Sequence, residues 1–174
     1  MNFPQEYIHF LVHFHGDRDY FECHEILEDY WKKVDSGNKE SIWVGLIQLA
    51  VSNYHHRRGN FAGAKRTLEK SAYILSKNKE KLEELGIEAT ILLQEIDDHL
   101  ARIDSLKPYN SYSLPLSHEL VSLCARRSKE LGLAWGSNSN MEDHDVVHRH
   151  MRRDRSPVIE ERQQALKNKR NRRQ

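Results

Sequence analysis

The stretch 41–58 constrains this chain more than any other. Its apolar residues, Ile42, Trp43, Val44, Leu46, Ile47, Leu49, Ala50, Val51 and Tyr54, fall around most of a helical circumference instead of on one stripe. A helix that is apolar on nearly every side has to be surrounded, so it belongs at the centre of a packed bundle. Gly59 follows as a residue suited to the left-handed conformation that ends a helix, and Asn60 is a good N-cap for the next one. The helix after it carries Phe61, Ala64, Leu68, Ala72 and Leu75, and the short turn folds it back antiparallel as an αα-hairpin.

The rest of the chain supplies partners for that central helix. Pro4 opens a first helix whose Tyr7, Phe10, Leu11 and Phe14 recur at three- and four-residue spacing before Gly16 and Asp17. A second helix is expected over 19–34, with Tyr20, Cys23, Leu27, Tyr30, Trp31 and Val34 on one face. Gly86 precedes a fifth, carrying Ile91, Leu92, Ile96, Leu100 and Ile103. No segment alternates long enough to predict a strand. The fold class is therefore all-α, a compact antiparallel bundle of about five helices within residues 1–105. Pro108, Asn110, Ser111, Ser113 and Pro115 mark a loop. Ser117 then caps a short sixth helix through Leu131, so that 106–135 packs on the core. Residues 136–140, Gly-Ser-Asn-Ser-Asn, read as a flexible linker, and 136–174 as linker plus basic arm.

At 174 residues the chain buries enough apolar surface to fold without staples. Its two cysteines, Cys23 and Cys124, stand about a hundred residues apart with no metal-ligand spacing, and read as reduced and buried, which points to the cytoplasm. The first residues show no basic, then apolar, secretory pattern. No stretch approaches the roughly 18 apolar residues of a membrane span. Charge is distributed unevenly: residues 148–174 hold ten Lys and Arg against three Asp and Glu, about +7, which leaves about −6 for the remainder of a chain whose net charge is +1. An acidic body with a basic tail implies an anionic partner, or a tail that lies on its own body.

Five residues are candidates for a site. His24, Glu28 and Trp31 share the edge of the apolar face of the second helix, while Glu22, Glu25 and Asp29 point to solvent. On the third helix Gln48, Ser52 and His55 make one narrow polar stripe. If the two stripes face each other, His24, Glu28, Gln48 and His55 meet between helices. Imidazole and carboxylate together suit a divalent metal such as Zn, Mn or Fe, or general acid/base chemistry without one. The competing reading is a buried hydrogen-bonded network that sets the register of the helices. His24-Glu25 begins an HExx pattern that fails at Glu28, so a zinc-protease motif is discarded. His144 and His148, four residues apart, read as a solvated junction.

Arg57, Arg58 and Asn60 surround a helix junction, where two guanidinium groups and free N–H groups are candidates for holding a phosphate or carboxylate. The alternative is that the arginines simply complement the end of a helix dipole. In the tail, Arg152, Arg153 and Arg155 are the candidates for salt-dependent contact with nucleic-acid phosphates. The tail lacks interleaved aromatics, so base stacking is not expected.

Two long runs carry a family resemblance. Residues 14–31, FHGDRDYFECHEILEDYW, and 45–64, GLIQLAVSNYHHRRGNFAGA, resemble the two signature segments of the DUF309 family. The resemblance is close over about 14–75, and the basic extension resembles that of the longer Bacillus-type members. It implies a small all-helical bacterial or archaeal protein; the family name records an unknown function, so no activity follows from it. The leading functional expectation is a non-enzymatic interaction or small-ligand-binding module seated at His24, Glu28, Trp31, Gln48 and His55, with an anionic partner for the tail. The alternatives are a metal-dependent or acid/base hydrolytic enzyme using His24, Glu28 and His55, and nucleic-acid association through the tail.

Overall fold

The computed structural model describes residues 2–149 together with Glu160, Glu161, Gln163, Gln164 and Lys167. Within 2–149 the elements run α1 (Gln5–His15), α2 (Tyr20–Val34), α3 (Ile42–Arg57), α4 (Phe61–Lys77), α5 (Lys79–Glu84), α6 (Ala89–Asp104), α7 (His118–Glu130) and α8 (His144–Val147). The only β feature among the described residues is an isolated antiparallel bridge between Ile87 and Leu116. An all-α bundle is what the periodicity predicts, with two additions. The short helices α5 and α8 each bury a single residue, Leu82 and Val147, too few to produce a repeating apolar pattern. The expected sixth helix is α7.

Asn60 and Ser117 cap their helices as the sequence predicts, and the structure adds two more caps, Asp19 and Ser41. Asp19, Ser41, Asn60 and Ser117 each accept a hydrogen bond from a backbone N–H in the first turn of α2, α3, α4 and α7. Gly59 has φ of 74°, a left-handed conformation that most side chains resist. The central helix α3 packs between α2 and α4, and α1 closes on α2 and α7. Two serines tie α3 to α4: Ser71 Oγ donates to the Gly45 carbonyl at 2.8 Å and Ser52 Oγ to the Ala64 carbonyl at 2.9 Å.

Those short ties require the helices to approach closely, and Gly45 is where they do. A Cβ at that position would sit 2.6 Å from Leu75 Cδ2 and 3.1 Å from Ile74 Cγ2, both in the packed core. Gly45→Val is expected to lower stability by about 2 kcal/mol, because overpacking a well-filled core costs on the order of 1–3 kcal/mol. Urea unfolding of the variant checks this, and an unchanged midpoint would mean that α3 and α4 separate without penalty.

The segment after α6 enters the core. Leu114 is buried, and Tyr112 stacks its ring edge-on against Phe14 while its hydroxyl accepts from Asn53 Nδ2 at 2.9 Å. His15 fastens this segment from below: its Nδ1–H donates to the Leu11 carbonyl at 2.8 Å and its Nε2 accepts from the Leu114 N–H at 3.0 Å. Both ring nitrogens are thereby used by the neutral imidazole, and burial pushes its pKa down to about 4.

Residues 136–140, expected to be a flexible linker, are tied to the bundle. The Gly136 N–H donates to the His15 carbonyl at 2.9 Å, and the Ser139 N–H to Ser111 Oγ at 2.8 Å. Arg18, buried and with φ of 55°, donates from Nε to the Ser137 carbonyl at 2.8 Å and from a terminal nitrogen to the Tyr112 carbonyl. Side chains can satisfy a polar backbone segment as well as water does, and a Gly/Ser/Asn composition leaves that choice open. Residues 136–149 form a strap across one end of the bundle. Its far end is held by an ion pair at 2.7 Å between Arg149 and the buried carboxylate of Asp19.

Candidate functional site

The Asp19 cap starts α2 so that residues 20, 21, 24, 28 and 31 line its side towards α3. On α3, residues 44, 47, 48, 51, 54, 55 and 58 answer them at one-turn spacing. Two hollows lie along this interhelical seam. One, of about 360 Å³, is lined by His24, Glu28, Trp31, Val44, Ile47 and Gln48, with Lys39 and Lys70 at its edge. The other, of about 190 Å³, is lined by Tyr20, Phe21, His24, Val51, Tyr54, His55 and Arg58. His24 lines both, so the two hollows adjoin along the seam and are described together as a two-lobed groove.

The expected meeting of His24, Glu28, Gln48 and His55 is thus realised in two halves. His24, Glu28, Trp31 and Gln48 share the larger lobe, while His55 joins His24 in the smaller one. The physical reason is axial distance: His55 lies two turns beyond Gln48, about 10 Å along the axis at about 1.5 Å per residue. Glu25, read as pointing to solvent, turns back onto the imidazole. Glu25 Oε1 lies 3.3 Å from His24 Nδ1, and Glu28 Oε2 lies 2.9 Å from His24 Nε2. Lys32 Nζ closes the row at 2.8 Å from Glu28 Oε1. The side chains of His24, Glu25 and Glu28 are 26%, 33% and 34% exposed, so they form the wet rim of a groove and not a buried network. Donor atoms of these three residues lie within 4.8 Å of one another, close enough to converge on one cation.

Arg57, expected at an anion site, is committed elsewhere. It is 5% exposed and donates to the Arg18 carbonyl at 2.7 Å and to Ser139 Oγ at 2.9 Å, with its guanidinium 4.8 Å above the Tyr20 ring. Position 57 lies three and four residues beyond Tyr54 and Asn53, which are themselves buried; that spacing is the sequence signal for an inward arginine. Arg58 lies 5.1 Å above the Tyr54 ring and donates from Nε to His148 Nδ1 at 3.2 Å, which places it at the mouth of the smaller lobe. Asn60 Oδ1 is used as the cap of α4, accepting from Gly63 N at 3.0 Å, and its Nδ2 lies 3.2 Å from His55 Nδ1. Of the three, Arg57 is thus turned inward, while Arg58 and Asn60 stay at the junction between α3 and α4. Arg152, Arg153 and Arg155 lie outside the described residues.

Periodicity alone did not identify Tyr20, Phe21 and Tyr54 as groove walls, because apolar residues at a seam look identical to core residues in a sequence. Lys39 and Lys70 come from a loop and from α4, and only the tertiary arrangement brings them to the groove. The two cysteines are free and buried, and burial pushes the Cys124 thiol up to about 12, so neither is a nucleophile at neutral pH. Among the described residues no helix is long and apolar enough to cross a membrane.

Comparison with known proteins places the chain in a family without adding an activity. The model of a domain of unknown function, DUF309, matches residues 7–67, which span α1 to the first part of α4 and contain most of the groove. An uncharacterized protein of Bacillus subtilis strain 168, YpuF, is 41% identical over 165 residues, covering 94% of this chain and 95% of that protein. No solved structure matches the chain. With the signature runs on α2, α3 and the start of α4, and a relative alike over nearly its whole length, the chain belongs to the DUF309 family.

Proposed function

We propose that this chain is a binding module, and that its seat is the two-lobed groove between α2 and α3. The observation that carries the reading is the pair of hollows sharing His24, with apolar walls from Phe21, Val51, Tyr54, Val44 and Ile47 and a few polar groups at the rim. Mostly apolar concavities with sparse, convergent polar groups are where proteins bind small ligands or the apolar face of a partner segment. His24, Gln48 and His55 orient the occupant, and Lys39, Lys70 and Arg58 favour one with negative charge. The chain works in the cytoplasm, as its reduced cysteines suggest.

His24→Ala separates a binding role from a structural one. Ion pairs between partly exposed groups are worth about 0–1 kcal/mol, so the variant is expected to lose less than about 1 kcal/mol of stability. Small amphipathic carboxylates screened by NMR are expected to shift the signals of Val51, Trp31 and His24 in the wild type and to lose the His24-dependent part of their affinity in the variant. A loss of several kcal/mol with no change in ligand response would instead make His24 a structural residue.

A second reading rests on the convergence of His24, Glu25 and Glu28. One imidazole and two carboxylates are a suitable donor set for zinc or manganese, and three protein ligands leave a position for water, as in hydrolytic sites. Elemental analysis of chelator-free protein decides it: near-stoichiometric metal that disappears in His24→Ala supports the site, and none in the wild type removes it.

A further inference from the structure

We propose that the groove between α2 and α3 takes a nucleoside phosphate, with the base in the smaller lobe and the phosphates at the lysine end of the larger one. This rests on the reading of the groove as a binding seat and names the class of ligand. The two lobes differ in chemistry. The smaller is a corner of rings: the Phe21 centroid lies 5.6 Å from that of His24 and 6.2 Å from that of Tyr54, which in turn lies 5.9 Å from that of His55. Arg58, with its guanidinium 5.1 Å above the Tyr54 ring, lines the same lobe. Aromatic and guanidinium faces together suit a planar ring, and they stack any nucleobase because every base has a π-face.

The larger lobe carries charge. Lys39, from the loop between α2 and α3, and Lys70, on α4, reach its edge. The loop is clamped from both sides, with the Trp31 indole N–H donating to the Asn38 carbonyl and Asn78 Nδ2 to the Glu40 carbonyl, each at 3.0 Å, so Lys39 is held at the lobe. Among the described residues neither lysine has an ion-pair partner, whereas the lobe's own carboxylate, Glu28, is taken by His24 at 2.9 Å and Lys32 at 2.8 Å. The lobe is left net positive, and a polyvalent anion is its complement.

Spacing selects among aromatic anions. On α3 the smaller lobe takes residues 51–58 and the larger 44–48; on α2 they take 20–24 and 24–31. At about 1.5 Å per residue the lobe centres are roughly 8–13 Å apart. A benzoate-like acid carries its charge on its ring and cannot reach both. A nucleoside diphosphate, with a sugar and two phosphates in line beyond the base, spans them. Between the lobes lie the groups that sugar hydroxyls need: the Gln48 amide, which both donates and accepts, and the His24 imidazole.

The test uses the full chain in EDTA, so that only its own groups act on the phosphates. ADP, GDP, CDP and UDP are titrated while the Val51 methyl and Trp31 indole signals are followed by NMR. At least one is expected to shift both signals, with the parent nucleoside shifting Val51 alone and inorganic pyrophosphate Trp31 alone. Lys39 and Lys70 are exposed, so Lys39→Gln with Lys70→Gln leaves the fold intact. That variant is expected to bind the diphosphate about tenfold more weakly, as loss of two exposed charge-assisted contacts does, and to bind the nucleoside as before. A nucleotide that shifts one lobe only, or that binds the lysine variant unchanged, overturns the proposal. So does a short single-stranded RNA that binds far tighter than every free nucleotide, which would make a strand the true ligand. If no diphosphate shifts either signal, anilinonaphthalene sulfonate tells which reading fails. A dye that still shifts Val51 leaves the groove as a site and removes nucleotides as its ligand; a dye that does not removes both.

Discussion

Arg57→Met is expected to lower the stability of the chain by about 3 kcal/mol and to release residues 136–149. The prediction turns on which of two opposing effects wins. A guanidinium taken out of water costs several kcal/mol, and replacing a buried ion by an apolar residue is sometimes neutral. Here methionine keeps the packing of the aliphatic stem but not the cation over Tyr20, so the difference lies in that contact and in the hydrogen bonds. The Arg18 carbonyl and Ser139 Oγ lose their donor, and the more distant contact to the Val146 carbonyl at 3.4 Å goes with them. A buried group left unsatisfied costs about 1–3 kcal/mol. Arg18 O keeps one donor, Tyr20 N at 3.0 Å, so the sum stays near the middle of the range. Arg57→Lys is not expected to rescue, because an ammonium lacks the planar fork that reaches the Arg18 carbonyl and Ser139 at once. Urea unfolding gives the loss, and hydrogen exchange at Gly136 and Ser139 shows the release. Full stability in Arg57→Met would mean that desolvation of the cation outweighs everything it holds.

Acidification from pH 7 to pH 5 is expected to remove about 3 kcal/mol of stability. Burial lowers the pKa of His15 and of His99 to about 4, whereas an unfolded imidazole titrates near 6.5. Between those values the unfolded chain binds more protons than the folded one, so stability falls with pH, beginning near 6.5 and levelling off near 4. Linkage at pH 5 gives about 2 kcal/mol for His15. His99 lies tilted against Tyr112 with ring centroids 4.1 Å apart but is partly open to water, and about 1 kcal/mol is kept for it after discounting for screening. His13 acts in the opposite sense: burial disfavours its charge, but the hydrogen bond it donates to the Asp17 carboxylate prevails and raises its pKa, which offsets a part near pH 6. His15→Gln retains a neutral donor and acceptor for the Leu11 carbonyl and the Leu114 N–H. It is expected to flatten the pH dependence by about 2 kcal/mol in urea unfolding at the two pH values. An undiminished slope would place the acid sensitivity elsewhere.

The bundle was legible because its strongest signals are local. The all-round apolar character of 42–54, Gly59 followed by Asn60, and Ser117 before Leu120 each specify an element without reference to anything distant, and each has its place in the structure. The groove was half legible. Helical spacing puts His24, Glu28 and Trp31 on one edge and Gln48 with His55 on another, but it does not say how far along the axis the two edges overlap, which is why His55 falls in the second lobe. Glu25 was misread because its turn towards His24 is a rotamer choice, about which sequence periodicity says nothing. The strap was not legible at all. Its Gly, Ser and Asn residues bear no apolar pattern, and what holds them are main-chain groups answered by Arg18, Arg57 and His15 from more than 80 residues away.

The way that strap is fastened also determines which solution conditions can undo it. Arg18 and Arg57 grip carbonyl and hydroxyl oxygens, which carry no titratable proton and whose buried bonds bulk electrolyte barely reaches. The Arg149–Asp19 contact at the far end is different: one partner is 43% exposed and the other is a carboxylate whose pKa burial has already raised. Ionic strength and mild acid therefore act on one end of the segment alone, and the strap peels from Arg149 inward while Ser137 and Ser139 stay anchored. The fold thus has a fastening of graded strength, and its weakest point is the one from which the basic arm departs.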